Sequence, residues 1–121
     1  MKILYVEDNE DLRETIGLLL AGGERELIAY GTAEQALAAI EREAFDVLVT
    51  DVSLPGMSGT DLARRLLAKD PLAWVVLCTG YELRSGLPHL GQNVRSLTKP
   101  FEIEELEALM DEIAARKAAG G

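Results

Sequence analysis

Four separated stretches of the sequence end in side chains that suit a cation or a phosphoryl group. Glu7 and Asp8 follow "KILYV", Asp51 follows "DVLVT", "WVVLCT" ends in Thr79, and Lys99 follows "VRSLT". Carboxylates held close together repel one another unless a cation neutralises them, and carboxylate, carbonyl and water oxygens select hard ions such as Mg²⁺ or Mn²⁺. Lys99 adds a positive charge and Thr79 a hydroxyl donor, which suit a group carrying several anionic oxygens. Because carboxylates also form acyl phosphates, the set predicts a metal-dependent site in which Asp51 attacks a phosphoryl group.

Each of these residues also has a simpler structural explanation. Asp51 could cap a turn, Thr79 could end a strand as a β-branched residue, and Lys99 could lie on the surface. The two acids after the first strand could cap the next helix, although Asn9 or Asp11 could do so instead. The presence of all these groups at strand ends favours the functional interpretation.

Short apolar segments alternate with segments of helical periodicity along the chain. Apolar runs bounded by turn residues predict strands at 2–6, 25–30, 46–50, 74–79 and 94–98. Apolar residues at helical spacing predict helices over about 10–20, over a segment containing Ala33, Leu37 and Ile40, after Ser58 and Asp61, and over 103–113. Thr32 is the expected cap of the second helix, and Ser58 with Asp61 resembles a capping box for the third.

Two segments near the end of the chain have weaker helical patterns. The sequence of 81–92 contains Gly86, Pro88 and Gly91, which leave room for about two helical turns at most. The final "AARKAAGG" is expected to fray or to continue as a linker.

The alternation of strands and helices predicts an α/β fold. We expect one domain over residues 1–121, with a flavodoxin-like, doubly wound, five-stranded parallel sheet in the order 2-1-3-4-5 and a degraded fourth helix in a (βα)₅ arrangement. A different doubly wound order remains open. In the expected order the four strands that end in reactive side chains are neighbours, and ligands of such sheets bind at the carboxyl ends of the strands.

Composition narrows the classes of partner and the compartment. The chain has 121 residues with 12 Lys plus Arg and 21 Asp plus Glu, for a net charge of −9. This acidity argues against direct binding to nucleic acid or to an anionic membrane surface. A lone cysteine, Cys78, no signal-peptide pattern and no long apolar run predict a cytoplasmic location.

The motifs "VEDN", "TDVSLPGMSG", "CTG" and "TKPF", in this order, resemble the receiver domain of two-component response regulators. The segments "TDVSLPGMSG", "TGY" and "LTKPF" are also similar to receivers fused to hybrid sensor kinases. The resemblance implies that Asp51 is the phosphoacceptor and that Thr79 and Lys99 contact the phosphoryl group. It implies that Mg²⁺ is bound by Asp8, Asp51 and the backbone carbonyl of Ser53, with Glu7 acting through a water. It also implies a cis bond between Lys99 and Pro100.

The same resemblance implies the partners. The phosphoryl donor would be a phosphohistidine on a sensor histidine kinase or a histidine phosphotransfer protein, docked partly by the first helix from near Asp11. The chain would be a signalling domain rather than an enzyme, and an output partner would bind the face from strand 4 to the last helix. Two departures concern output: Ser96 stands where receivers usually carry Tyr or Phe, and the fourth helix is weakened by Gly86, Pro88 and Gly91.

Three other functions have weaker support in the sequence. Ser96 and the poor fourth helix are compatible with an interaction domain that works without phosphorylation. An aspartyl-phosphate phosphatase would carry a second acid two residues after its nucleophile, where this chain has Ser53. A flavin site is weakly supported, because no Gly/Ser/Thr-rich loop follows the first strand. His89 lies in a Gly/Pro-containing loop, so we expect it to be structural or neutral.

Overall fold

The fold is built around a five-stranded parallel sheet. The structure is a computed structural model, and it describes residues 1–80 and 91–120. The strands run in the order β2-β1-β3-β4-β5, which confirms the predicted flavodoxin-like topology. They are β1 (Lys2–Val6), β2 (Glu26–Tyr30), β3 (Val47–Asp51), β4 (Trp74–Thr79) and β5 (Val94–Thr98).

Within the described ranges four helices pack against the sheet, and they follow β1, β2, β3 and β5 along the chain. They are α1 (Glu10–Leu20), α2 (Ala33–Arg42), α3 (Gly59–Lys69) and α4 (Ile103–Gly120). The predicted caps of α2 and α3 are confirmed, since the Thr32 and Ser58 hydroxyls accept hydrogen bonds from the N–H groups of Gln35 and Asp61, each at 3.1 Å. Asp61 does not complete a reciprocal capping box, because its carboxylate pairs with Arg64 at 2.9 Å.

Helices cover both faces of the sheet. Alternate strand residues point to opposite faces, so each strand contributes to two cores. Buried residues of α2 and α3, such as Ala36 and Leu62, pack with Leu4, Leu48 and Leu77 on one face. On the other face, α1 and α4 pack against the remaining inward residues of the strands; the buried members there include Ile16, Leu20, Leu106, Met110, Ile113, Tyr5, Val49 and Cys78.

The predicted fraying after residue 113 is wrong. The helix α4 continues to Gly120, because "AARKAA" consists of strong helix formers. Two ion pairs hold this extension in place. Arg116 Nε lies 3.0 Å from Glu112 Oε2 one turn earlier, and Lys117 Nζ lies 3.2 Å from Asp46 Oδ1.

Smaller differences concern strand ends. The strand β3 runs to Asp51 rather than stopping before it, because Asp51 pairs with Cys78 and the next N–H, of Val52, donates to the Cys78 carbonyl at 2.9 Å. The strand β2 begins at Glu26, one residue later than predicted. Most of the predicted fourth helix falls in 81–90, outside the described residues. No helix in the described ranges is long and apolar enough to span a bilayer.

Candidate functional site

Three carboxylates meet at the carboxyl ends of β1 and β3. Glu7, Asp8 and Asp51 each offer one oxygen such that all three oxygens lie within 4.8 Å of one another. Glu7 and Asp51 are buried, with 2% and 8% of their surface exposed, whereas Asp8 is exposed. β1 and β3 are direct neighbours in the sheet, which is why residues far apart in sequence converge here.

Lys99 brings a positive charge to the same point from the end of β5. Its Nζ lies 2.6 Å from Asp51 Oδ1 and 3.1 Å from Glu7 Oε1. Burial alone would lower the pKa of Lys99, but the hydrogen bonds to Asp51 and Glu7 outweigh it and raise that pKa. Lys99 is therefore an ammonium ion at neutral pH.

The charges of this group suit a divalent cation. Three carboxylates against one ammonium leave two negative charges uncompensated when all are ionised. Oxygen ligands of this kind, with one side open to solvent through Asp8, fit Mg²⁺ or Mn²⁺, which retain bound waters. The residues present thus fit the predicted metal.

Thr79 and the segment after β5 complete the surroundings. Thr79 is buried at the end of β4, and its carbonyl accepts a hydrogen bond of 2.6 Å from the N–H of Lys99. This bond fixes the start of the loop that carries the Lys99 side chain. The predicted cis peptide between Lys99 and Pro100 is present.

The loop after β1 is organised by hydrogen bonds that leave Asp8 available. Asn9 is the cap of α1, because its Oδ1 accepts from the Leu12 N–H at 3.0 Å. The Asn9 N–H in turn donates to Glu7 Oε2 at 3.1 Å. Asn9 therefore does the capping that Asp8 could have done, which removes the helix-cap explanation for Asp8.

Three contacts around the site were missed by sequence reasoning. Gly59 lies so close to the backbone of Asp51 that a Cβ there would be 1.8 Å from the Asp51 carbonyl oxygen. Arg13 donates from Nη1 to the carbonyl of Glu7 at 2.8 Å. Glu34 accepts from the N–H of Met57 at 3.0 Å, which ties α2 to the loop after β3. The glycine after the Ser58 cap was the one signal in the sequence for a close approach.

Other predicted residues are placed as follows. Ser53 is exposed in the loop after Asp51. The role of its backbone carbonyl as a metal ligand stays a prediction. Ser96 is exposed on β5. Cys78 is buried beside Asp51, as expected for a core thiol, and burial raises its pKa to about 12. The expectation for His89 concerns 81–90, outside the described residues.

Comparison with known proteins agrees with this geometry. The sequence model of the "Response regulator receiver domain" family matches residues 3–111. The response regulator protein FleR of Pseudomonas aeruginosa is 37% identical over 98% of this chain and 25% of its own length. The sensory transduction protein RegX3 of Mycolicibacterium smegmatis is 34% identical over 96% of this chain and 51% of its own. The chain thus spans from a quarter to about half of these relatives.

A solved structure supports the same assignment. The response regulator TrrA of Thermotoga maritima, in complex with Mg²⁺ and BeF, is 26% identical, with a TM-score of 0.81 over 93% of this chain and 97% of that one. The family match covers most of the sequence, and the fold and the acidic strand ends agree with it. The chain therefore belongs to the receiver domain family of two-component response regulators.

Proposed function

We propose that residues 1–121 form a single receiver domain that accepts a phosphoryl group on Asp51 in a reaction that requires Mg²⁺ or Mn²⁺. The observation that carries the proposal is the position of Asp51. Glu7 and Asp51 are both buried carboxylates of the acidic group that contact Lys99, but Asp51 makes the shorter contact, at 2.6 Å against 3.1 Å, and is the more exposed of the two, at 8% against 2%. A nucleophile that gains phosphate needs both neighbours, a metal site and a cation, to balance the added charge.

The chemistry is the transfer of one phosphoryl group from a phosphohistidine of the donor to the unphosphorylated carboxylate of Asp51. A carboxylate oxygen of Asp51 forms a bond to phosphorus while the P–N bond to the donor histidine breaks, and that electron pair stays on the imidazole nitrogen. Lys99 stays beside the acceptor and balances the charge of the product. Thr79, at the neighbouring strand end, supplies a hydroxyl donor to a phosphoryl oxygen. The bound metal, held by Asp8, Asp51 and the Ser53 carbonyl with Glu7 acting through water, would stabilise negative charge on the phosphoryl oxygens.

A hollow next to the acceptor site supports the docking of a donor protein. It has a volume of about 350 Å³ and lies between α1 and the segment after β5. Leu12 and Ile16 of α1, with Pro100 and Phe101, supply an apolar lining, and Lys99 links the hollow to the site. Farther along α1, Leu18 is 80% exposed. An apolar surface beside the acceptor suits a sensor histidine kinase or phosphotransfer protein, whose phosphohistidine must approach Asp51.

The proposal also predicts the class of protein, its cellular compartment and the face that contacts an output partner. The domain would act in the cytoplasm and would catalyse only its own phosphorylation and dephosphorylation, as a signalling module. Output would reach a partner through the face from β4 to α4. The net charge of −9 makes direct contact with nucleic acid or an anionic membrane unfavourable.

Intact-mass spectrometry tests the acceptor assignment. The chain is incubated with Mg²⁺ and a small phosphoryl donor such as acetyl phosphate, and then with a phosphorylated histidine protein. We expect the wild type to gain one phosphoryl mass, Asp51→Asn to gain none, and the exposed helix variant Asp61→Asn to behave as the wild type. A gain that persists in Asp51→Asn would refute the assignment.

A phosphorylation-independent interaction domain remains the second candidate. Ser96 favours it, because this exposed serine of β5 has no ring that could follow the phosphoryl group. Amide NMR spectra with and without Mg²⁺ and beryllofluoride separate the two. Shift changes that reach β5 and α4 support switching, whereas changes confined to the acidic site support the second candidate.

A further inference from the structure

Arg13 contacts the backbone between two of the acids. It lies in the first turns of α1, is half-buried, and donates from Nη1 to the carbonyl oxygen of Glu7 at 2.8 Å. That carbonyl belongs to the peptide group joining Glu7 to Asp8, so the contact holds the link between a buried and an exposed carboxylate. The backbone N–H of Glu7 is also fixed, because it donates to the Tyr30 carbonyl at 3.1 Å.

Gly31 provides the space in which the guanidinium lies. A Cβ at this position would be 2.9 Å from Arg13 Nη1 and 3.6 Å from its Cζ, and the three nearest atoms all belong to Arg13. The backbone of Gly31 lies outside the left-handed region, so an alanine would meet no conformational strain of its own. The lack of a side chain at residue 31 therefore serves the placement of Arg13.

We propose that Arg13 is a positioning residue for the metal site and that Gly31 leaves the space that the Arg13 guanidinium occupies. By fixing the Glu7–Asp8 peptide, Arg13 keeps both carboxylates turned toward Asp51. The inference rests on the proposed function for its metal, but the contacts are independent of it. Removal of a group that orients a metal ligand through a hydrogen bond typically weakens metal binding by about 10- to 100-fold.

The sign of the effect separates positioning from simple charge. The positive charge of Arg13 near the three carboxylates repels a metal cation, so removal of that charge alone would strengthen metal binding. Loss of positioning would weaken it. Gly31→Ala separates the two effects, because it keeps the Arg13 charge and shifts only the flexible guanidinium.

Calorimetric titration of the whole chain with Mg²⁺, and counting of free Mn²⁺ by electron paramagnetic resonance, measure the effect. We expect Arg13→Gln to weaken binding about tenfold and Gly31→Ala to weaken it by a smaller factor, because the guanidinium is only displaced. Arg13→Lys should recover part of the affinity, because an ammonium still donates one hydrogen bond to the carbonyl. The exposed Arg65→Gln on α3 is the matched control and should bind as the wild type.

Amide hydrogen exchange of the metal-free variants gives a second readout. The Asn9 N–H, which bonds to Glu7, should exchange faster in Arg13→Gln and Gly31→Ala but not in Arg65→Gln. Unchanged or tighter metal binding in Arg13→Gln, or wild-type exchange at Asn9 in both variants, would overturn the inference. A wild-type chain that binds no metal would instead count against the proposed function, and the exchange data would still decide the role of Arg13.

Discussion

Replacement of Gly59 by alanine should damage the fold directly behind the acceptor. Gly59 is the first residue of α3, and its N–H donates to the Val52 carbonyl at 2.9 Å. A Cβ would lie 1.8 Å from the carbonyl oxygen of Asp51, 2.8 Å from its carbonyl carbon and 3.0 Å from Thr50 Oγ1. The backbone fixes the position of a Cβ, so no change of side-chain rotamer relieves these contacts.

The structure sets the size of the effect. An ordinary contact of a Cβ begins at 3.4 Å, so α3 and the end of β3 must separate by about 1.6 Å. Overpacking of this kind costs about 1–3 kcal/mol, and a buried backbone obstacle places the cost near the upper end. Alanine recovers about 0.5–1 kcal/mol relative to glycine in a helix. We expect a net loss of about 2 kcal/mol in the free energy of unfolding, which lowers the urea midpoint by about 1 M.

Gly17→Ala is the matched control for this prediction. Gly17 is also a buried helical glycine, in α1, but a Cβ there would make an ordinary contact of 3.7 Å with Leu27 Cδ2. We expect this variant to gain about 0.5–1 kcal/mol. Urea unfolding of both variants, followed by circular dichroism, measures the difference. A Gly59→Ala midpoint equal to or above that of the wild type would refute the reasoning.

Three further predictions use other parts of the structure. The hydrogen bond from the Met57 N–H lowers the pKa of Glu34 below 4.5, so the stability that ionised Glu34 contributes is present above that pH and is lost as pH falls through the folded-state pKa. Glu34→Gln should therefore unfold at lower urea than the wild type at neutral pH, and the difference should vanish in acid. A difference that stays constant with pH would contradict this. The Cys78 thiol, 5% exposed and with a pKa raised by burial to about 12, should react with a thiol reagent at the rate of unfolding, so fast native labelling would argue against its placement. Leu106→Ala should cost about 2–5 kcal/mol, because Leu106 is fully buried between α4 and the sheet; thermal unfolding close to that of the wild type would count against this packing.

The strand order and the shared site were predictable because they depend on patterns of type and spacing. Apolar runs, turn residues and helical periodicity predict that strands and helices alternate along the chain. This alternation, with short links, restricts the topology to a few doubly wound strand orders. Once the order is known, Glu7, Asp51 and Lys99 are expected at one end of the sheet, since β1 and β3 are adjacent and only β4 separates β3 from β5. The fold and the proximity of these candidate side chains therefore follow from local signals.

The supporting contacts were not predictable, because they join residues through side-chain reach and backbone proximity. Nothing in the spacing of Arg13, Gly31 or Glu34 indicates a partner, and only the packed structure shows the guanidinium and carboxylate bound to backbone groups. The end of α4 was misjudged for a related reason. Its stability includes an ion pair between Lys117 and Asp46, 71 positions apart in sequence, which no local window contains.

A crystal structure of the chain with Mg²⁺ and beryllofluoride would test the central claim most directly. We expect beryllofluoride on a carboxylate oxygen of Asp51, the metal bound to Asp8 and Asp51, and Lys99 Nζ in contact with a fluorine. Beryllofluoride bound elsewhere under saturating conditions, or Asp8, Asp51 and Lys99 turned away from one another, would contradict the account.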